Sequence, residues 1–422
     1  MSRVIRRRWI SSHEGRSRKD NRGCEYEAYV PDMLVGRNFM IDGEVAADIA
    51  DAEAAIARLN VEATSLVDTE ALARILLRAE SVASSRIEGL EIGARRLLRA
   101  EAARVLGDDP SDITAVEVLA NIDAMVYGID AVGPGDLVTV ELLLEIHRRL
   151  MIGTRLEEYG GRFREKQNWI GGSAYNPCSA AFVPPPPEYV EGLIVDLVAF
   201  SNEDSLPAVA QAAIAHAQFE TIHPFVDGNG RTGRALVHLI LRRRGVAPRI
   251  LPPVSLVLAT WAQDYIDGLT ASRYRGPAIS KGASEGINLW IGRFATACKR
   301  AVDDATTFEQ HARRIESSWR ERLGRVRARS AADLLLGVLV GAPVVTVNGA
   351  AEIVGRSFIQ TNEAIQRLVD AGILKQVTVG RRNRAFEAPE IIAAFTELER
   401  QLASPDGDTL TSEPVRTVPR RK

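Results

Sequence analysis

Apolar residues recur at helical spacing over most of this chain. Glu44–Ala63 predicts a helix with Val45, Ile49, Ala54, Ile56 and Leu59 as its apolar set. Thr69–Arg86 predicts a second, with Leu72, Ile75, Leu76 and Val82 on one face. Helical pattern continues through Glu91–Leu106, Ile113–Tyr127 and Val138–Met151, broken by turn-like Asp108–Asp112 and Ala131–Asp136. Ala208–Ile222 is an apolar-rich helical run, and Ala235–Gly245 is another, ending in a basic turn and a Gly stop. Helix resumes near Val254 within Leu251–Leu269, and Gly286–Arg327 holds one or two long helices of mixed charge. Two stretches have a different rhythm. Gln167–Ile170 and Ala180–Val183 have β-compatible ends around a Gly-, Ser-, Asn- and Pro-bearing loop, which predicts a hairpin. The proline run that follows cannot donate to a ladder and extends the chain instead. Near the other end, Ala331–Leu339 predicts a helix. Helix, Gly355 turn and second helix follow, then a hairpin with Gly380 at its tip. The pattern describes a mainly α protein with two hairpins.

Composition narrows this little. The chain has 422 residues, enough for two or three domains, and is 46% hydrophobic and 26% charged, ordinary for a soluble globular protein. A net charge of −2 gives no bulk argument for nucleic acid. Arg3, Arg6, Arg7, Arg8, Arg16, Arg18, Lys19 and Arg22 make residues 1–23 read as a disordered basic tail. That tail has no apolar segment of the secretory type, and no stretch is long and apolar enough to span a bilayer. Cys24, Cys178 and Cys298 show no metal or redox spacing, and an odd count argues against a disulfide framework. A cytoplasmic protein without membrane contact is the expectation.

The chemistry concentrates in His223–Arg234, HPFVDGNGRTGR. Pro224 ends the preceding helix near His223. Gly228-Asn229-Gly230 tolerates positive φ, so successive N–H groups can form one concave nest ahead of the next helix. That helix adds unpaired N–H groups and the positive end of its dipole. Asp227 can hold a cation, Arg231 and Arg234 can hold phosphate oxygens, and His223 can move a proton near neutral pH. A second site lies where the Thr69–Arg86 helix ends. Gly89 reads as its left-handed stop, which leaves Glu88 in the last turn, where the helix dipole disfavours a carboxylate. His147 and His216 read as helix-packing residues.

The His223–Arg234 string resembles the signature of Fic domain proteins, HPFx(D/E)GNGRxxR, at every fixed position, and the resemblance covers roughly Tyr29 to Arg300. It implies a Fic-type helical bundle with a β-hairpin flap. It also implies a protein adenylyltransferase moving AMP from ATP to a Ser, Thr or Tyr hydroxyl of a protein. His223 would be the general base and Asp227 the Mg²⁺ ligand. Gly228, Asn229, Gly230, Arg231, Thr232, Gly233 and Arg234 would bind the nucleotide, with Arg231 and Arg234 on the outer phosphates and Phe225 as an anchor. Gly230, where phosphorylating members carry Lys, favours AMP transfer. Ser84, Glu88 and Gly89 resemble the inhibitory motif (S/T)xxxE(G/N), which implies that Glu88 competes with phosphate for Arg234. Gln167–Val183 resembles the flap, which implies strand addition of a protein substrate, with Ile170 and Gly171 near the nucleotide. Tyr265 matches an adenine-side aromatic, although Asp264 beside it departs from the pattern. A homodimer is a further family expectation.

Arg329–Leu402 resembles a winged helix. Arg356, Gln360, Thr361 and Gln366 belong to its helical part and Arg381, Arg382 and Arg384 to its wing. Glu363 and Asp370 on the same helix weaken a DNA reading, so protein contact is favoured. The expected division is a tail (1–23), an N-terminal helical region with the inhibitory helix (24–112), a Fic core (113–285), a helical linker (286–328), a winged-helix domain (329–402) and a disordered tail (403–422). Two other functions stay open: removal of AMP from a modified protein through Glu88, and DNA regulation by the C-terminal module.

Overall fold

The computed structural model describes residues 1–11, 17–62, 69–107, 112–379 and 383–401. The expected turn at Asp108–Asp112, the wing tip at Gly380–Arg382 and the C-terminal tail lie wholly or mostly outside them. Two strands, β1 (Arg3–Trp9) and β2 (Cys24–Val30), open the chain. Helices α1 (Gly43–Glu62), α2 (Thr69–Ile87), α3 (Ala94–Val105), α4 (Ile113–Ala131) and α5 (Val140–Leu150) follow. After the flap come α6 (Pro187–Ser201), α7 (Ala208–Ile222) and α8 (Asn229–Arg243). Next are α9 (Val254–Thr260), α10 (Ala262–Ala271) and one unbroken helix, α11 (Lys281–Leu323). The last elements are α12 (Ala331–Gly341), β3 (Val344–Val345), α13 (Val347–Val354), α14 (Phe358–Asp370), β4 (Lys375–Val379), β5 (Asn383–Glu387) and α15 (Pro389–Gln401).

The described residues form two compact units. The first holds residues 1–53, 127–246 and 263–296. Helix α7 is buried at every position, and several of its polar side chains find hydrogen-bond partners, as burial favours. Gln211 donates to the carbonyls of Phe200 and Glu203, Gln218 donates to that of Asp32, and Thr221 donates to that of Ala217. Glu53 accepts the Val209 N–H in the first turn. Helix α8 packs on α7 where Gly233 faces Phe219 and Glu220. A Cβ on Gly233 would lie 2.9 Å from both side chains, so only glycine permits this approach. Trp290 of α11 is fully buried, donates to the Ala213 carbonyl at 2.7 Å and covers Gly268 of α10.

The arginine-rich start is not a disordered tail over Arg3–Trp9. It is β1, antiparallel to β2 in the register Arg3↔Val30 to Trp9↔Cys24. That register sets Arg6 opposite Glu27 and Arg8 opposite Glu25, so opposite charges face each other across the ribbon. Arg7 also pairs with Glu188 of α6. The cysteine reading is corrected too. Cys24 and Cys178 form a disulfide across 154 residues of sequence, with Cα atoms 5.7 Å apart, while Cys298 is a buried cysteine outside any disulfide. Spacing could not have announced a pair so distant.

The second unit holds the described parts of 54–126, 247–262 and 297–422. Helix α2 is its spine, buried from Ala71 to Ser85 apart from Ala73, Arg74 and Leu77. The fully buried Glu80 accepts the Ser255 N–H at 2.7 Å and its hydroxyl, capping α9. Gly341 lets α12 approach α2 closely, since a Cβ there would meet the Ala71 backbone at 2.6 Å. Arg78 bridges the Gly341 carbonyl and Glu101. Beyond α12, helices α13 and α14 turn about Gly355, at φ 62. Ser357 and Gln360 close a capping box at the start of α14. Strands β3, β5 and β4 lie side by side in that order.

Trp290→Ala is predicted to destabilise the protein by about 3–5 kcal/mol. Leu289→Ala, at a helix position 46% exposed, should cost under about 0.5 kcal/mol. Chemical denaturation of the two variants checks the contrast.

Candidate active site

The buried α7 delivers His223 to its C-terminal end. His223 adopts φ 50, ψ 60, a left-handed conformation that a non-glycine residue rarely takes. Its N–H donates to the Phe219 carbonyl at 2.9 Å, closing the helix. Its imidazole, 21% exposed, holds Nδ1 3.9 Å from an oxygen of Glu220. The next residues turn sharply. Asn229 accepts the Phe225 N–H at 2.8 Å and donates to the Phe225 carbonyl at 2.9 Å, so one amide side chain pins both ends of the turn. Gly228 is also left-handed, at φ 75, and a Cβ there would lie 2.9 Å from Leu150. Helix α8 begins at Asn229, earlier than the hydrophobic pattern indicates. Gly230 is therefore helical, and only Gly228 of the Gly-Asn-Gly trio has positive φ. The expected nest is in effect the first turn of a helix, whose N–H groups and dipole face the same place.

Three further residues, His147, Arg164 and Asn168, hold this turn, and sequence reasoning had not singled out Arg164, Asn168 or Arg273, which binds the last turn of α7. Phe225 is fully buried and stacks on His147 with centroids 3.7 Å apart. The Gly161 N–H donates to His147 Nδ1 at 3.0 Å, so Nε2 carries the proton and donates to the Asp227 carbonyl at 3.0 Å. His147 is thus a packing residue that also fixes Asp227. Arg164, 4% exposed, donates to the carbonyls of His223, Pro185 and Lys166. Burial lowers its guanidinium to about 10. Asn168 donates to the carbonyls of His223 and Phe225. Arg273 lies over the Phe182 ring at 3.7 Å, and its Nε donates to the Thr221 hydroxyl at 3.4 Å. These are distant polar residues in ordinary surroundings, and no local pattern marks them.

The motif places its charges in two environments. Arg231 and Arg234 are 3% and 2% exposed, and Thr232 is fully buried. The Asp227 carboxylate is half-exposed, 3.6 Å from Arg231. Among the described residues no cluster of three or more His, Cys, Asp or Glu could hold a metal. A single open carboxylate suits Mg²⁺ that brings phosphate oxygens as its other ligands.

The flap is slighter than expected. Gln167–Ile170 and Ala180–Val183 meet in one bridge, Ile170↔Phe182, around a 3-10 turn at Pro177–Ser179. Left-handed Gly171 and Gly172 and the side-chain bonds of Asn168 divert the first arm, and the prolines lead straight into α6. Tyr265 is 7% exposed, and its hydroxyl lies 2.8 Å from His216 Nε2. In the second unit, α2 ends in a Schellman motif. The Leu90 N–H reaches the Ser85 carbonyl and the Gly89 N–H reaches that of Arg86, with Gly89 at φ 84. Ser84 is buried and Glu88 is an exposed C-cap residue.

Residues 137–241 match the Fic/DOC family, and residues 46–130 match the Fic/DOC family N-terminal region. The region matching the N-terminal model thus lies directly ahead of the region matching the Fic/DOC model. It is 33% identical over 165 residues to the protein adenylyltransferase fic-1 of Caenorhabditis elegans, covering 38% of this chain and 30% of that protein. It is 38% identical over 118 residues to the protein adenylyltransferase Fic of Drosophila willistoni, covering 27% of this chain and 22% of that one. The chain thus spans under a third of these relatives' length. A crystal structure of a Fic family protein from Desulfovibrio desulfuricans G20 superposes with a TM-score of 0.51 at 20% identity, over 83% of this chain and 97% of that one. The fold is that of Fic proteins.

Burial lowers His147 to about 4 and His216 to about 3, so both stay neutral in the folded chain. The unfolded chain protonates them below about 6.5. Their stabilising share is therefore present above pH 6.5 and is lost as pH falls towards 4, at roughly 1.4 kcal/mol per pH unit for each. Urea unfolding from pH 7 to 4 should show His147→Gln losing stability less steeply than wild type, by that slope.

Proposed function

We propose that this protein is an adenylyltransferase that moves AMP from ATP to a hydroxyl of a protein. The observation that supports it best is that His223 caps α7 just ahead of the N-terminus of α8, whose first turns carry the buried Arg231 and Arg234. His223 takes the proton of a Ser, Thr or Tyr hydroxyl. The oxygen attacks the α-phosphorus, the bond to the bridging oxygen breaks, and pyrophosphate leaves. N–H groups of residues 228–231 and the two arginines stabilise the charge that moves on to the phosphates. Asp227 would hold Mg²⁺, which supplies further neutralisation. Thr232 and Gly233 remain proposed nucleotide-binding residues, and Gly233 also lets α8 pack closely on α7. Ile170 and Gly171 at the flap and the ring of Tyr265 remain proposed nucleotide neighbours.

Glu88 is the proposed inhibitory carboxylate, with Ser84 and Gly89 fixing the helix end that carries it. It sits at the carbonyl end of α2, against its local electrostatic preference, which supports a role outside its own helix. Residues 113–285 are the proposed catalytic core and 329–402 a proposed winged-helix module. Phe358 and Ile359 are 52% and 69% exposed at the start of α14, where a DNA reader needs polar groups, so protein contact is favoured. No helix among the described residues is long and apolar enough to cross a membrane. A cytoplasmic setting and a homodimer stay within the proposal.

His223→Ala is expected to lower AMP labelling by about 10²–10⁴-fold, the usual worth of a general base. Glu88→Gly should raise labelling of lysate proteins or of the chain itself, read by mass spectrometry with ATP. Unchanged labelling in that variant would overturn inhibition. Loss of AMP removal in the same variant would favour the reverse activity.

A further inference from the structure

The flap has little structure of its own and is held from outside. Beyond the Ile170↔Phe182 bridge, its tip is clasped by the segment leading into β2. Asn176, 1% exposed, donates to the carbonyls of Lys19 and Asp20 at 3.0 and 2.7 Å. The Ser173 hydroxyl donates to Asp20 at 2.8 Å, and Arg22 donates to the Cys178 carbonyl at 3.3 Å. Trp9 meets Trp169 edge-on at 5.2 Å. At the flap's base, the Tyr29 N–H of β2 donates to the Val183 carbonyl at 2.9 Å. The disulfide from Cys24, the first residue of β2, to Cys178 in the tip is the only covalent tie in this clasp.

We propose that Cys24–Cys178 is a reversible thiol-oxidation site that controls the order of the flap, and through it the docking of a protein segment. The docking half rests on the reading of Gln167–Val183 as the substrate flap. Cys24 and Cys178 are partly exposed residues with exposed neighbours, Gly23 and Ser179, which leaves the bond open to a small dithiol. A dithiol reductant attacks one sulfur and forms a mixed disulfide, and its second thiol then displaces the chain. Two electrons and two protons end on Cys24 and Cys178 as thiols, and the reductant leaves as its own disulfide. The Arg22 guanidinium beside Cys178 supplies positive charge near a departing thiolate. Once the bond is open, the tip keeps the hydrogen bonds of Asn176, Ser173 and Arg22 and the Trp9–Trp169 contact, with no covalent tie to β2. Oxidised, the flap is preorganised to receive an extended segment. Reduced, it must be ordered on binding, which weakens docking.

The test uses the full chain, oxidised or treated with dithiothreitol under native conditions. Alkylation mapped by mass spectrometry should modify Cys24 and Cys178 after reduction, while the fully buried Cys298 reacts only on denaturation. Amide hydrogen exchange over 169–183 should quicken by about tenfold or more on reduction. The Cys24→Ser, Cys178→Ser double variant should match the reduced form and ignore dithiothreitol. AMP self-labelling in the Glu88→Gly background should fall severalfold on reduction and not in the double variant. A disulfide that resists reduction in the folded protein, or equal flap exchange in both forms, overturns the proposal. Faster flap exchange without any labelling in either form counts against the adenylyltransferase reading and supports the redox site.

Discussion

The first unit depends on how closely α7 and α8 approach. Gly233 has no side chain, so the two helices meet where Phe219 and Glu220 fill the space a Cβ would need. With α6 and Trp290 of α11 on its other faces, α7 is buried at every position and ends in a left-handed turn. His223 takes it, and the chain reverses within five residues into α8. A proton carrier, a helix N-terminus and two buried guanidinium groups are thereby brought to one place by packing alone.

Such an arrangement is costly by itself. A non-glycine residue at φ 50 stores strain of order 1–3 kcal/mol, and it persists only where its surroundings over-determine it. The surroundings are polar and specific. Arg164 and Asn168 both bind the His223 carbonyl, Asn229 closes the turn, and His147 fixes Asp227 while stacking on Phe225. The same groups tie the turn to the flap, because Asn168 lies in the flap's first arm and Arg164 reaches Pro185 at the flap's end. The flap is thus anchored to the His223–Asn229 turn at its base and to β2 at its tip. A segment with so little ladder of its own takes its shape from its neighbours.

Much of this was legible beforehand. Helix ends were readable wherever a local rule applied. Gly89 and Gly355 stop helices because glycine accepts positive φ cheaply, and Pro224 follows the end of α7, although His223 before it is left-handed rather than the extended residue a following proline favours. The motif was legible because its chemistry is contiguous. Where pairing partners are far apart in sequence, the reading failed. The arginines of β1 look like a solvated tail until Glu25 and Glu27 are set opposite them. Cys24 and Cys178 look unrelated until 154 residues fold between them.

The sequence by itself determined the periodicity of the helices, the punctuation of their ends and the identity of the candidate reacting groups in His223–Arg234. These depend on neighbours a few residues away, where backbone geometry sets the spacing. Tertiary structure alone decided that Gly230 is helical, that the N-terminal ribbon clasps the flap, and that Arg164, Asn168 and His147 hold the turn. Those outcomes rest on buried polar atoms finding partners 14 to 157 residues away, and such a choice is made only when the whole unit packs.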